Sequence, residues 1–197
     1  MSDPETIKVY DDQAAQYAEL TQTHNGTDPY LRAFLATIPT DGHVLDLGCG
    51  PGASAAEMAQ AGLTVTATDA SAEMVAMAAR HPGVTAQQAS FDQISGDAIY
   101  DGVWANFSLL HASRADMPTH LRALRTALKP GGTLHIGLKT GTGEKRDGIG
   151  RLYTYYTREE LDGLLHDAGF TPVDHAFGEA LGLDGVMANW IVVRAHA

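Results

Sequence analysis

Short apolar runs rich in β-branched residues recur along the chain, separated by stretches whose apolar positions fall three and four apart. The runs are HVLDL (43–47), TVTAT (64–68), VTAQQ (84–88), GVWAN (102–106), TLHIGL (133–138), TPVDHAF (171–177) and ANWIVVRA (188–195), and each predicts a strand. From Met117, the residues Leu121, Leu124 and Leu128 line one helical face, and Pro130-Gly131-Gly132 is expected to stop that helix. Thr157 with Glu160 makes a capping box ahead of the stripe Leu161, Leu164, Leu165 and Ala168, and Gly169 stands at the C-terminal cap. Before residue 40, Tyr10, Tyr17, Tyr30 and the apolar set Leu31, Phe34, Leu35 and Ile38 predict two helices. Strand then helix, repeated, predicts an α/β doubly wound, mostly parallel sheet with helices on both faces. The last two strands have no helix between them and are expected to return as an antiparallel pair.

Composition narrows the partners. The 197 residues are 44% hydrophobic and 19% charged, which suits one folded domain over 1–197. The formal net charge of −11 repels phosphate backbones, so no nucleic-acid partner is expected. Cys49 is the single cysteine and the 9 histidines form no H-x-x-x-H pair, so neither an internal disulfide nor a metal site is expected. The opening MSDPETIK has no apolar core and no run approaches a membrane span, which predicts a cytoplasmic protein without membrane contact, as monomer or homodimer.

The most informative stretch is VLDLGCGPG (44–52), an apolar strand running into glycines at alternate positions and then an alanine-rich helix. Glycines there let a ligand approach the backbone with no Cβ in the way. Asp69 ends the next strand, where a carboxylate can accept both hydroxyls of a ribose. A bare tight turn is the plain alternative. A dinucleotide fold is the rival, since Gly48, Gly50 and Ala53 satisfy G-x-G-x-x-A. Asp46 and the lack of nearby Lys or Arg sit poorly beside a pyrophosphate and suit a ligand carrying positive charge.

Five segments in order then resemble the class I S-adenosylmethionine-dependent methyltransferases. They are LDLGCGPG, ATDAS (67–71), YDGVWANFSLLH (100–111), LRALRTALKPGGTLHIGL (121–138) and YYTREELDGLLHDAGF (155–170). The resemblance implies a Rossmann-like seven-stranded sheet of order 3-2-1-4-5-7-6 with the last strand antiparallel. It implies a helical lid over 1–40, a cofactor-binding half over 43–139, and a substrate-side loop with the final helix and strands over 140–197. The implied cofactor is S-adenosyl-L-methionine. Gly48, Cys49 and Gly50 would pass under its methionine part and ribose, Asp46 would lie near its amino group, and Asp69 would hold the ribose hydroxyls. Ala70, Met74 and Phe91 would flank the adenine. Ser90 departs from the pattern, standing where many members carry an Asp for the adenine amino group. Asn106 would face the methionine portion and the reacting methyl, and Tyr10 and Tyr17 resemble lid aromatics. Met74 also fits a plain core position, and the two tyrosines also fit simple packing of the first helix.

The implied activity is methyl transfer to a small-molecule substrate. The run Asn106-Phe107-Ser108-Leu109 lacks the Asn-Pro-Pro-Tyr pattern of enzymes that grip an exocyclic NH₂, and one cysteine does not suit arsenic methylation. His111 is the candidate proton acceptor, with a plain packing role as the alternative. Lys139, Lys145, Arg146 and Arg151, interleaved with Tyr153 and Tyr155, make the densest basic segment. It reads either as a substrate-binding loop for an anionic metabolite, with Lys139, Arg146, Arg151, Tyr153 and Tyr155 at the acceptor, or as a solvated surface. Binding of the cofactor without turnover, and an NAD(P)-dependent oxidoreductase, remain the alternative functions.

Overall fold

A computed structural model describes residues 3–22 and 28–197, so residues 1–2 and 23–27 of the expected lid lie outside the described residues. Its strands are β1 (His43–Leu47), β2 (Thr64–Asp69), β3 (Val84–Gln88), β4 (Tyr100–Asn106), β5 (Leu128–Lys139), β6 (Glu144–Arg146), β7 (Leu152–Thr154), β8 (Thr171–Leu181) and β9 (Met187–His196). Seven of them form one sheet in the order β3-β2-β1-β4-β5-β9-β8, with β9 antiparallel to both β5 and β8. This is the expected order, its last two numbers raised because β6 and β7 pair as a separate short ribbon. The ribbon escaped the sequence reading because its first strand, Glu-Lys-Arg, is fully polar and exposed.

The helices are α1 (Pro4–Asp12), α2 (Ala14–Gln22), α3 (Pro29–Leu35), α4 (Ala53–Gln60), α5 (Ala72–Ala78), α6 (Met117–Ala127) and α7 (Arg158–Asp167). Among the described residues three helices, not two, precede β1. Two of them begin at an Asp-Pro pair: Asp3 caps Thr6 N–H, and Asp28 caps Tyr30 and Leu31 N–H, with proline supplying a ready-made first helical turn. The capping box of α7 forms as read, with Thr157 N–H donating to Glu160 at 2.9 Å and Glu160 N–H donating to Thr157 Oγ1 at 3.2 Å. Helix α6 ends at Ala127 instead of running to Leu128, which turns extended and opens β5. Pro130 drives Lys129 out of the helical region, and the chain pairs with β4 across a register shift between Tyr100 and Gly102.

Alternation along the central strands sends side chains to two cores. Leu45, Val103 and Ala105 join Leu121, Leu124, Leu161 and Leu165 on one face. Val44, Val65, Ala67 and Trp104 join Phe34, Ala55 and Met58 on the other. Covered on both faces, β1, β2 and β4 bring their carboxyl ends to one rim of the sheet, and α1 lies over that rim. Among the described residues no helix is long and apolar enough to cross a membrane.

Candidate active site

The turn after β1 holds Gly48 and Gly50 at φ +70° and +53°, a conformation that glycine adopts without strain. Gly48 N–H and Cys49 N–H both donate to Thr68 O, at 2.7 and 2.9 Å, which ties the turn to the end of β2. A Cβ on Gly48 would come within 2.3 Å of Ser108 Cβ, so this glycine lets the segment after β4 pass directly beside the loop. Asp69 sits at the tip of β2, and its two carboxylate oxygens accept from Gly50 N–H and Ser71 N–H, both at 2.9 Å. Burial raises its pKa, and the backbone N–H groups of Ser71, Gly50 and Ala70 oppose that rise.

These elements border a cavity at the carboxyl rim. Of the residues expected at a cofactor or reacting group, it is lined by Tyr10, Tyr17, Gly48, Gly50, Asp69, Ala70, Met74, Phe91, Asn106 and His111. Asp46, Cys49 and Ser90 are not among its lining residues. Asp46 lies beneath the loop, 3% exposed, with Oδ2 lacking a hydrogen bond among the described residues. Burial, then the charge of Asp69, push its pKa up to about 8. Burial likewise drives the Cys49 thiol far above its usual range, which makes it inert as a nucleophile. Ser90 and Gln93 instead close a capping box around the short turn Phe91–Gln93.

Sequence reasoning missed Asp3, Thr6, Ile7, Ser71, Phe107 and Ser108, which also line the cavity. Ser71 had a readable signal as the N-cap of α5, donating no side-chain proton there but accepting Met74 N–H at 3.1 Å. Its hydroxyl donates to Asp11 at 2.6 Å, which docks α1 on α5. Phe107 takes φ +55°, a strained value for an aromatic residue, and nothing in its local sequence announces it.

His111 ends the 3-10 turn Leu109–His111 and is fixed from both sides. Nδ1 lies 2.6 Å from Leu152 O, a pure acceptor, so Nδ1 carries the proton. Nε2 therefore accepts, and the Tyr10 hydroxyl, 2.8 Å away and 101 positions earlier in the chain, donates to it. Arg151 Nη1 donates to the same Tyr10 oxygen at 3.0 Å. Burial lowers the His111 pKa to about 4, so the ring is neutral near pH 7.

The basic segment does not converge on the cavity. Arg146 grips both oxygens of Asp3 at 2.9 Å and pairs with Glu5 at 2.9 Å. Arg151 is only 2% exposed and is ion-paired with Asp147, itself 4% exposed, at 2.7 Å. Lys139 Nζ stands 3.9 Å from the centre of the Tyr153 ring, and burial pulls its pKa down. Tyr153 packs against His111 and Tyr155 against Tyr153, and neither lines the cavity. The arginines expected to grip an anion thus serve instead to clamp α1 onto the β6–β7 ribbon, helped by Leu152 N–H donating to Thr6 Oγ1 at 2.8 Å.

Comparison with known proteins agrees with this architecture. A methyltransferase domain model matches residues 44–132. The cypemycin N-terminal methyltransferase of Streptomyces sp is 34% identical over 143 residues, covering 69% of this chain and 57% of that protein. The ubiquinone/menaquinone biosynthesis C-methyltransferase of Rubrivivax gelatinosus is 41% identical over 93 residues, covering 46% of this chain and 36% of that protein. The chain therefore spans 57% and 36% of the length of these two curated relatives. The crystal structure of the Burkholderia thailandensis 1,6-didemethyltoxoflavin-N1-methyltransferase, with bound 1,6-didemethyltoxoflavin and S-adenosylhomocysteine, superposes with a TM-score of 0.80 at 25% identity, covering 98% of this chain and 87% of that one. With the sheet order, the glycine turn and the carboxylate at the tip of β2 in place, the chain belongs to the class I S-adenosylmethionine-dependent methyltransferase family.

Proposed function

We propose that the protein transfers a methyl group from S-adenosylmethionine to a small-molecule acceptor. The observation that carries this reading is the cavity itself, which joins the glycine turn, the Asp69 carboxylate and the apolar side chains of Met74 and Phe91. Asp69 keeps lone pairs free for a ribose diol, and Met74 and Phe91 suit the faces of a purine. Asp46, beneath the turn and outside the cavity lining, adds a carboxyl behind the loop, an acidic setting that suits a cationic ammonium. When bound, the cofactor offers an electrophilic methyl on a sulfonium. The protein's own part is to hold the acceptor in line and to exclude water, which can supply about 7–11 kcal/mol of the barrier.

The state of His111 shapes the choice of acceptor. Its Nε2 lone pair is engaged by the Tyr10 hydroxyl, so the ring takes a proton only if that hydroxyl moves. An acceptor that arrives already deprotonated needs no such step, which keeps an anionic metabolite as the favoured class although Arg146 and Arg151 do not carry it. The same engaged lone pair supports binding without turnover as the second reading. Incubating the full chain with methyl-labelled S-adenosylmethionine and a metabolite extract separates them. Label on a small molecule, with S-adenosylhomocysteine released, supports the enzyme. Cofactor binding with no label transfer supports the second reading, and preference for NAD or NADP overturns both.

Asp69→Asn is expected to weaken S-adenosylhomocysteine binding by about 1.5–3 kcal/mol in calorimetry, because it replaces a charged acceptor by a neutral one. Unchanged affinity would remove Asp69 from the ribose.

A further inference from the structure

We propose that His135 is a positioning residue that turns the Asn106 side chain, so that the site meets its methyl acceptor with two hydrogen-bond donors, the Asn106 amide and the Ser108 hydroxyl, and thereby selects an acceptor anchored through a carboxylate oxygen. The proposal rests on the methyl-transfer reading above and names the substrate class of that site.

His135 lies on β5 and stacks on the Trp104 indole, with ring centres 3.7 Å apart and planes 16° from parallel. The stack fixes the ring plane, and Nε2 then meets Asn106 Oδ1 at 3.1 Å. An amide oxygen only accepts, so the His135 proton is on Nε2. Arg194, the register partner of His135 on β9, adds a positive charge that with burial keeps the imidazole neutral. Glycine at 137, paired in register with Asn106, is what leaves room for this oxygen, since a Cβ there would stand 2.7 Å from Oδ1.

With Oδ1 held on the sheet side, the remaining terminus of Asn106 is its NH₂ group. Asn106 lines the cavity, and among the described residues its Nδ2 has no hydrogen-bond partner. Two positions on, Ser108 also lines the cavity. It is 5% exposed, and its Oγ has no hydrogen-bond partner among the described residues. The left-handed turn at Phe107 is what brings these two polar groups to one place. A buried hydroxyl without a partner is destabilising, a cost that a ligand oxygen would offset. An ammonium group, which has no lone pair, would instead meet the Asn106 NH₂ donor against donor.

The test uses the ¹⁵N-labelled full chain. Long-range ¹H–¹⁵N spectra should place the His135 proton on Nε2, and a proton on Nδ1 overturns the proposal, because Oδ1 would then face the cavity. Benzoate and benzylamine are next titrated into protein saturated with S-adenosylhomocysteine. Benzoate should shift the Asn106 side-chain amide resonances and bind about tenfold tighter than benzylamine. That preference should fall about fivefold or more in Asn106→Asp and in His135→Phe, which keeps the stack on Trp104 but cannot donate. It should survive in His135→Gln, whose amide can still donate to Asn106 Oδ1. Absence of benzoate binding, preference for benzylamine, or an unmoved Asn106 amide overturns the proposal. So does an Asn106 shift produced by S-adenosylhomocysteine that benzoate does not extend, since the donors would then serve the cofactor. Failure of the methyl-transfer reading shows separately, as absent S-adenosylhomocysteine binding with the Nε2–H tautomer intact.

Discussion

Asp46→Asn is expected to raise the melting temperature of the ligand-free protein at about pH 8 and to leave it unchanged at about pH 4. The carboxyl is 3% exposed, its Oδ2 has no hydrogen bond among the described residues, and burial with the nearby Asp69 lifts its pKa from 3.8 to about 8. A raised carboxyl pKa means that the folded state holds the proton more tightly than the unfolded chain does. Below the unfolded pKa both states are protonated and the group costs nothing. As pH rises the unfolded chain ionises first, so stability drains away between about pH 4 and pH 8 and the loss is complete above that. Each pKa unit corresponds to ~1.4 kcal/mol. Relieving even part of the displacement should return about 2 kcal/mol or more, a rise of roughly 4–8 °C for a domain of this size. Asparagine keeps an acceptor for the Ala55 N–H, so the variant retains the local bond. Equal melting curves at pH 8 would show that Asp46 is ionised and paired. On the proposed function the same change should weaken S-adenosylmethionine binding, because the stored cost is what a bound ammonium would relieve.

Arg151→Met should act in the opposite direction, lowering stability by about 3–5 kcal/mol and the melting temperature by on the order of 10 °C. Arg151 and Asp147 are both nearly inaccessible, and removing the guanidinium leaves the carboxylate buried with no counter-charge. Asp147 also accepts from Ile149 and Arg151 N–H, at 3.1 and 2.9 Å, so it shapes the ribbon turn and its discomfort spreads into β7. Adding Asp147→Asn to the arginine change should recover a good part of the loss, and failure to recover any would place the cost in packing around Tyr10 and not in charge. The Tyr10 hydroxyl loses its donor as well, so the His111–Tyr10 contact should loosen, visible as a changed His111 environment by NMR.

Both variants bear on how far a sequence reading reaches. The strands of the sheet were legible because burial on one face or two leaves an imprint of period two, or an unbroken apolar run, within a few residues. The α7 capping box and the start of its apolar stripe were legible for the same reason, since both bonds close within three positions. The glycine turn and Asp69 were legible because a positive φ and a carboxylate at a strand tip are local demands on residue type. Leu128 marks the limit of that logic: its spacing fitted the helix, and the proline two positions on, with the pairing to β4, put it in a strand.

What the chain's own order determined, then, is the α/β sheet, its order once the family resemblance is admitted, and the acid-and-glycine rim on which a cofactor could rest. Tertiary structure alone decided what the charged and polar groups do there. Arg146 is visible in sequence as positive charge, yet its partner Asp3, 143 positions away, was chosen by where α1 and the ribbon meet. Tyr10 reaches His111 across 101 positions, and His135 reaches Asn106 across 29. A hydrogen bond is directional and spans about 3 Å, so its partner is fixed by the packing of elements distant in the chain, whereas hydrophobic periodicity is written residue by residue.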